Sequence, residues 1–270
     1  MIKMNASVIS IDGKVNRQTS MPKAFSEVVR PDIIKRAVLA ENALSVQPQG
    51  HYLLAGMQTS ASYHGRMYTW RSGRRTGRAQ RPREHLGGGR QGKVKKIPSA
   101  VKGRRAHPHH VEKNLTEQMN KREYQKAIMS AIAATASDYV DTKFIDKAKL
   151  PIVVSNEIES ISKAKDFMAA LKAIGLDKYI DESHESKRRA SNNKRVSARS
   201  RYKRSVLLVL GPGEKKAEKA ARNLPGVDVC TSEEIRASLL APGGNPGRIT
   251  IWSENAILAL DESSKKWSLR

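Results

Sequence analysis

Several groups of residues in this chain have the types and spacing that chemistry needs. Residues 87–94 read Gly-Gly-Gly-Arg-Gln-Gly-Lys-Val. Gly87, Gly92 and Lys93 meet the Gly-x4-Gly-Lys spacing with which amides and an ammonium group cradle phosphates, but Val94 stands where a Ser or Thr would hold magnesium. No apolar strand precedes Gly87 to present the loop at a helix N-terminus. The glycines are therefore read as letting the backbone pass close to phosphates. Gly211-Pro212-Gly213 sits between an apolar run and a helical pattern, where a dinucleotide-binding turn would sit. Lys216 replaces the third glycine and Pro212 removes an amide, so a plain strand-to-helix turn accounts for it. Ser99 with Lys102 and Ser191 with Lys194 spell Ser-x-x-Lys inside basic stretches, where such pairs arise by chance, and no catalytic nucleophile is expected. His85, His107, His109 and His110 lack companion carboxylates and a helical i, i+4 pair, so no metal and no cofactor are expected. Imidazoles in such a segment suit stacking on, and hydrogen bonding to, RNA.

Charge is the stronger signal. Fifty Lys and Arg oppose twenty-six Asp and Glu, a net charge of +24. Within residues 66–113 fifteen Lys or Arg face only Glu84 and Glu112, an excess of thirteen. The arginines are Arg66, Arg71, Arg74, Arg75, Arg78, Arg81, Arg83, Arg90, Arg104 and Arg105, and Lys93, Lys95, Lys96 and Lys102 join them. Arginine grips phosphate bidentately and stacks on bases, which favours irregular RNA. Tyr63, Tyr68 and Trp70 alternate with His64, Arg66 and Arg71, an interleaving suited to unpaired bases, although Tyr63 could equally pack at the root of the segment. A second run holds Lys187, Arg188, Arg189, Lys194, Arg195, Arg199, Arg201, Lys203 and Arg204 without an acid. One charge run is usually a solvated face; two unmixed runs point to contact surfaces. No helix-turn-helix, zinc finger or basic zipper is present to read a DNA groove.

The segment that carries most of this charge cannot build a core. Stretched out, its cations lie roughly 10 Å apart, comparable with a screening length of about 8 Å. Ordering it costs on the order of 50 to 100 kcal/mol of backbone entropy, with no apolar pattern to offset that. Disorder in the free chain is the expectation, and as a hairpin it could reach at most ~80 Å.

Around it the chain reads as strands alternating with helices. Strands are expected at residues 8–11, 150–154, 205–210, 227–230 and 249–252, and helices at 31–44, 117–136, 157–174, 214–223, 232–240 and 254–260. Parallel strands need crossovers and helices supply them, so the fold class is α/β: a mostly parallel sheet with flanking helices, Rossmann-like and three-layered, interrupted by a long extended basic loop. The expected organisation is one globular domain over residues 1–270, with a Gly/Arg-rich insertion at 47–115 and a second basic segment at 184–204. Cys230 is the only cysteine, which excludes an internal disulfide. Neither a signal-like apolar start nor a run of eighteen apolar residues is seen, so a cytoplasmic protein without membrane contact is expected.

The run at 70–79, Trp-Arg-Ser-Gly-Arg-Arg-Thr-Gly-Arg-Ala, resembles the long-loop pattern of the large-subunit ribosomal protein L-four family. The triplet at Gly87, Gly88 and Gly89, the His-Pro-His-His run at 107–110 and the segment 112–136 are similar to the archaeal and eukaryotic branch, and the likeness spans nearly the whole chain. It implies a non-catalytic protein bound to large-subunit ribosomal RNA and to neighbouring ribosomal proteins. Its loop would line the nascent-peptide exit tunnel, with transient contact to the peptide, and no small-molecule substrate is implied. Carried over, the loop tip would be Arg74, Arg75, Thr76, Gly77, Arg78 and Ala79. The rival from the residues alone is an RNA-modifying or nucleotide-dependent α/β enzyme that uses the basic loop as a guide. A histone-like DNA-compacting protein is a third class.

Overall fold

A computed structural model of the chain describes residues 5–70, 72–140, 142–144, 150–185, 203–213, 216–264 and 266–269. They fall into two compact units, Met1–Ser45 with Thr116–Arg270, and Val46–Leu115.

The first unit is built on a six-stranded sheet. Its elements in chain order are β1 (Asn5–Ile9), β2 (Val15–Ser20), α1 (Pro31–Leu44), then, after the second unit, α2 (Lys121–Ala134), β3 (Ile152–Val154), α3 (Ala164–Ile174), α4 (Asp177–Glu185), β4 (Leu207–Leu210), α5 (Lys216–Arg222), β5 (Asp228–Thr231), α6 (Ala237–Leu240), β6 (Thr250–Ser253) and α7 (Glu254–Ser263). The strand order is β2-β1-β3-β6-β4-β5, with β1 and β2 antiparallel and every other pairing parallel.

The three central strands β3, β4 and β6 are buried along their whole length, as strands covered on both faces must be. Alternation assigns their side chains. Val153, Leu207, Val209 and Trp252 enter one core with Ile34 and Val38 of α1, Ile128 and Ile132 of α2, and Ile257 and Leu260 of α7. Ile152, Val154, Leu208, Leu210 and Ile251 enter the other with Phe167 and Leu171 of α3, Ile180 of α4 and Ala217 and Ala221 of α5. Successive residues of a strand point to opposite faces, so one sheet feeds two cores and two helical layers. Phe25 meets Trp252 edge-on, with ring centroids 5.2 Å apart. No helix of the described residues is long and apolar enough to cross a membrane.

Departures from the sequence expectation have local causes. β2, Val-Asn-Arg-Gln-Thr-Ser, is an edge strand exposed on both faces, so it lacks apolar alternation. The helix expected over 157–174 is a short 3-10 turn at Asn156–Ser160 followed by α3. The break turns the buried Glu159 carboxylate inward, where it accepts from the Gly211 amide at 2.9 Å and from the Asn255 side-chain amide at 2.8 Å. The helix expected over 232–240 shortens to α6, and α4 carries too few apolar residues to show in sequence. α3 ends as predicted, with Gly175 left-handed at φ 92° and its amide donating to the Leu171 and Lys172 carbonyls.

Candidate nucleic-acid interface

The second unit holds most of the predicted contact residues, and it contains regular structure that no apolar pattern announces. Arg83–Leu86 (β7) and Arg90–Val94 (β8) form an antiparallel hairpin, with Arg83 opposite Val94, His85 opposite Gln91 and Leu86 opposite Arg90. The Gly87–Gly89 turn closes it, with Gly88 at φ 69°, a conformation only glycine adopts without strain. The phosphate-loop spacing thus falls on a hairpin and not at a helix N-terminus. Ser62 extends the hairpin by one bridge: its amide donates to the Arg83 carbonyl at 3.1 Å and the Arg83 amide returns the bond at 3.0 Å.

This small platform gathers aromatic and polar groups. His64 and His85 meet edge to face at 4.8 Å, and the Ser62 hydroxyl contacts the Nε2 atoms of both. The Gly73 amide donates to the His64 carbonyl at 2.7 Å, which closes residues 64–73 into a loop. A Cβ at Gly73 would come within 2.9 Å of the Gln91 Oε1, so that loop lies directly against the hairpin. Between them is a hollow of about 600 Å³ lined by Tyr63, His64, Gly65, Arg66, Thr69, Trp70, Ser72, His85 and Gln91. Thr69 and Gln91 are contributors that composition did not flag. The readable sign for Gln91 was its symmetry with His85 about the glycine triplet, a hairpin signal.

The proposed loop tip folds back on this hairpin. Arg75 and Gly77 are left-handed at φ 62° and 70°, and the Thr76 hydroxyl donates to the Gly73 carbonyl at 2.9 Å. Arg83 donates to the Ala79 carbonyl at 3.2 Å, and Arg78 reaches the Gln91 carbonyl at 3.4 Å. The guanidinium and ammonium groups otherwise face outward: Arg66, Arg74, Arg75, Arg78, Arg81, Arg90, Lys93, Lys95, Lys96, Lys102 and Arg105 are exposed, and Arg83 and Arg104 half-buried. Tyr68 and Trp70 are 95% and 78% exposed. Among the described residues of this unit one ion pair forms, Lys95 with Glu84 at 3.1 Å. That Lys95 hydrogen bond holds the Glu84 carboxyl below its ordinary range.

A third cluster lies at the end of the segment. His109 stacks on His51 at 6.2 Å and its Nε2 is 3.2 Å from Arg105; His107 and His110 are exposed. The described residues contain no group of His, Cys, Asp or Glu able to hold a metal. Among the described residues of this unit Ile97 is the one large apolar side chain that is buried, wrapped by a turn in which a Cβ at Gly103 would fall 1.7 Å from the Ile97 carbonyl oxygen.

In the first unit, Lys203 donates to Glu182 at 3.0 Å and Arg204 lies 3.6 Å from Asp228, so these two cations spend charge within the fold. Arg71, Lys187, Arg188, Arg189, Lys194, Arg195, Arg199 and Arg201 lie outside the described residues. At the strand ends, where an α/β sheet would bind a nucleotide, the Glu159 carboxylate already takes the Gly211 amide. A pyrophosphate there would have to displace a buried anion. The geometry gives the enzyme reading no support.

An α/β scaffold with a large, basic, nearly coreless insertion is a specific combination, and comparison with known proteins gives it a family. The family model described as "Ribosomal protein L4/L1 family" matches residues 19–263. The large ribosomal subunit protein uL4 of Methanococcoides burtonii is 43% identical over 261 residues, covering 95% of this chain and 97% of the relative. Its counterpart in Archaeoglobus fulgidus is 41% identical over 263 residues, with 96% and 99% covered, and that of Methanocaldococcus jannaschii is 39% identical over the same length and shares. Likeness of this level along nearly the full length of both partners, on the fold just described, places the chain in the ribosomal protein L4/L1 family.

Proposed function

We propose that the chain is a structural, non-catalytic constituent of the large ribosomal subunit that binds large-subunit ribosomal RNA. Relatives matched over 97% and 99% of their own length bear that subunit's name. The observation that carries the RNA reading is the second unit's charge: fifteen cations and two acids, with one ion pair among the described residues. Burying Ile97 stabilises such a unit by roughly 1.5 to 3 kcal/mol, while ordering costs about 1 to 2 kcal/mol for each residue of backbone. Polyanion contact offsets the difference. Exposed Leu53, Leu54, Met57 and Val101 add apolar surface that an assembled particle would cover. Neighbouring ribosomal proteins are the partners for that surface. The tip at Arg74, Arg75, Thr76, Gly77, Arg78 and Ala79 lines the exit tunnel in this reading and meets the nascent peptide in passing.

The test is sedimentation of the tagged full chain with ribosomal subunits through a high-salt cushion. Retention on large subunits alone is the expected result, and release, or equal retention on small subunits, overturns the proposal. The tunnel assignment has its own check. Cys230 is the chain's only cysteine and is buried, so Arg75→Cys introduces the one thiol open to a cross-linker. Cross-links to stalled nascent peptide are expected from position 75 and not from Lys203→Cys.

A further inference from the structure

We propose that the hollow beside the β7–β8 hairpin seats a single unpaired RNA base turned out of its stack. This rests on the RNA-binding reading and names the ligand more closely. His85 and Gln91 are cross-strand partners and therefore share one face of the hairpin. His64 stands edge-on to His85, tied to it by the Ser62 hydroxyl, and Arg66 and Trp70 line the same hollow. The volume of about 600 Å³ lies within the roughly 300–1,000 Å³ range of small-ligand sites. It is far more than a phosphate needs.

The lining distinguishes a base from backbone alone. Trp70 and the two imidazoles offer flat π faces, which a base uses and a phosphate does not. Gln91 carries both a donor and an acceptor, matching the mixed edge of a base. Arg66 adds a cation for the attached phosphate. Bases within a duplex keep their faces stacked on one another, so the site selects an unpaired nucleotide. The Gly73-to-His64 hydrogen bond and the close approach of Gly73 to Gln91 hold the walls together before a ligand arrives.

The chain carries its own reporter. Trp252 and Trp267 are buried, at 0% and 2% exposure, whereas Trp70 is 78% exposed, so quenching of indole emission by RNA reads Trp70. The full chain is titrated at raised salt with a short single-stranded oligoribonucleotide, the same strand annealed to its complement, and an abasic strand of equal length. Saturable quenching by the single strand is expected, with affinity about fivefold or more weaker for the other two. Measured by anisotropy of the labelled strand, Trp70→Ala and His64→Ala lose that margin while Trp70→Phe, which keeps a stacking face, retains it. An unchanged far-ultraviolet circular dichroism spectrum and thermal midpoint check that each variant still folds. If the abasic strand binds and quenches as well as the complete one, the hollow takes phosphate, the base seat is wrong and RNA binding stands. If no strand binds, both readings fall.

Discussion

Arg248 shows what one buried charge does in this fold. Its side chain is 2% exposed, lies 2.8 Å from Asp228, and donates to the carbonyls of Val206 and Leu239 at 2.9 Å and of Ser205 at 3.2 Å. It therefore links the start of β4, the first residue of β5 and α6 through one side chain, in addition to the backbone pairing of the two strands. Burial pulls the guanidinium below its ordinary value and Asp228 acts against that. Removing one member of such a set leaves carbonyls and a carboxylate without their donor. Arg248→Met is expected to cost about 3 to 5 kcal/mol, read as a lowered urea midpoint with an unchanged slope. Cys230 gives a second prediction. Burial pushes its thiol up to about 12, against roughly 8.5 in an unfolded chain. At pH 8 the folded chain should resist thiol reagents that label it promptly in urea. Between about 8.5 and about 12 the unfolded chain releases a proton the folded chain keeps, so this group's contribution is whole below that window and lost as pH rises through it.

At the scale of elements, α7 begins where β6 ends, and one side chain makes the junction. The Ser253 hydroxyl accepts from the Ala256 amide at 3.1 Å in a buried setting, and the adjacent Glu254 accepts from Arg17 of β2 at 2.9 and 2.7 Å. Ser253→Ala removes the cap and should lower stability by about 1 kcal/mol, measured by thermal unfolding. Glu254→Gln should cost less, because its partner Arg17 is largely exposed. The same junctions explain what could be read from residues alone. Apolar runs such as Leu207–Leu210, and stripes such as Ile34, Ala37 and Val38, announce themselves because burial selects their spacing. β2 and α4 do not, since one is a polar edge and the other buries little beyond Tyr179, Ile180 and Ser183. The helical period across 157–174 was real, but Glu159 breaks it by bonding to Gly211, a tertiary contact that no local pattern encodes. In the candidate interface the cations and aromatics were legible by type. The hairpin that brings His85 beside Gln91 was hidden because none of its residues needs a core.

Across the whole molecule, charge divides by what it has to meet. The first unit pairs several of its cations internally, as Lys203 does with Glu182 and Lys266 with Glu233. The second carries thirteen of the twenty-four excess charges with one ion pair among its described residues. A cation already held by a carboxylate releases no counterion when RNA binds, because it must first leave its partner; an uncompensated one contributes fully. Each phosphate neutralised by a cation adds about 0.7 to the slope of log affinity against log salt on single-stranded RNA. The triple variant Arg74→Gln, Arg75→Gln, Arg78→Gln should therefore flatten that slope by about 2. Lys203→Gln should leave it nearly unchanged and alter stability by less than about 1 kcal/mol, as for other exposed pairs. The measurement is filter binding to a large-subunit RNA fragment over a salt series. Flattening by Lys203→Gln of about a third of that of the triple variant, equal for each charge removed, would mean that RNA sees only the total charge of the chain. Flattening confined to the triple variant would place recognition in the uncompensated unit.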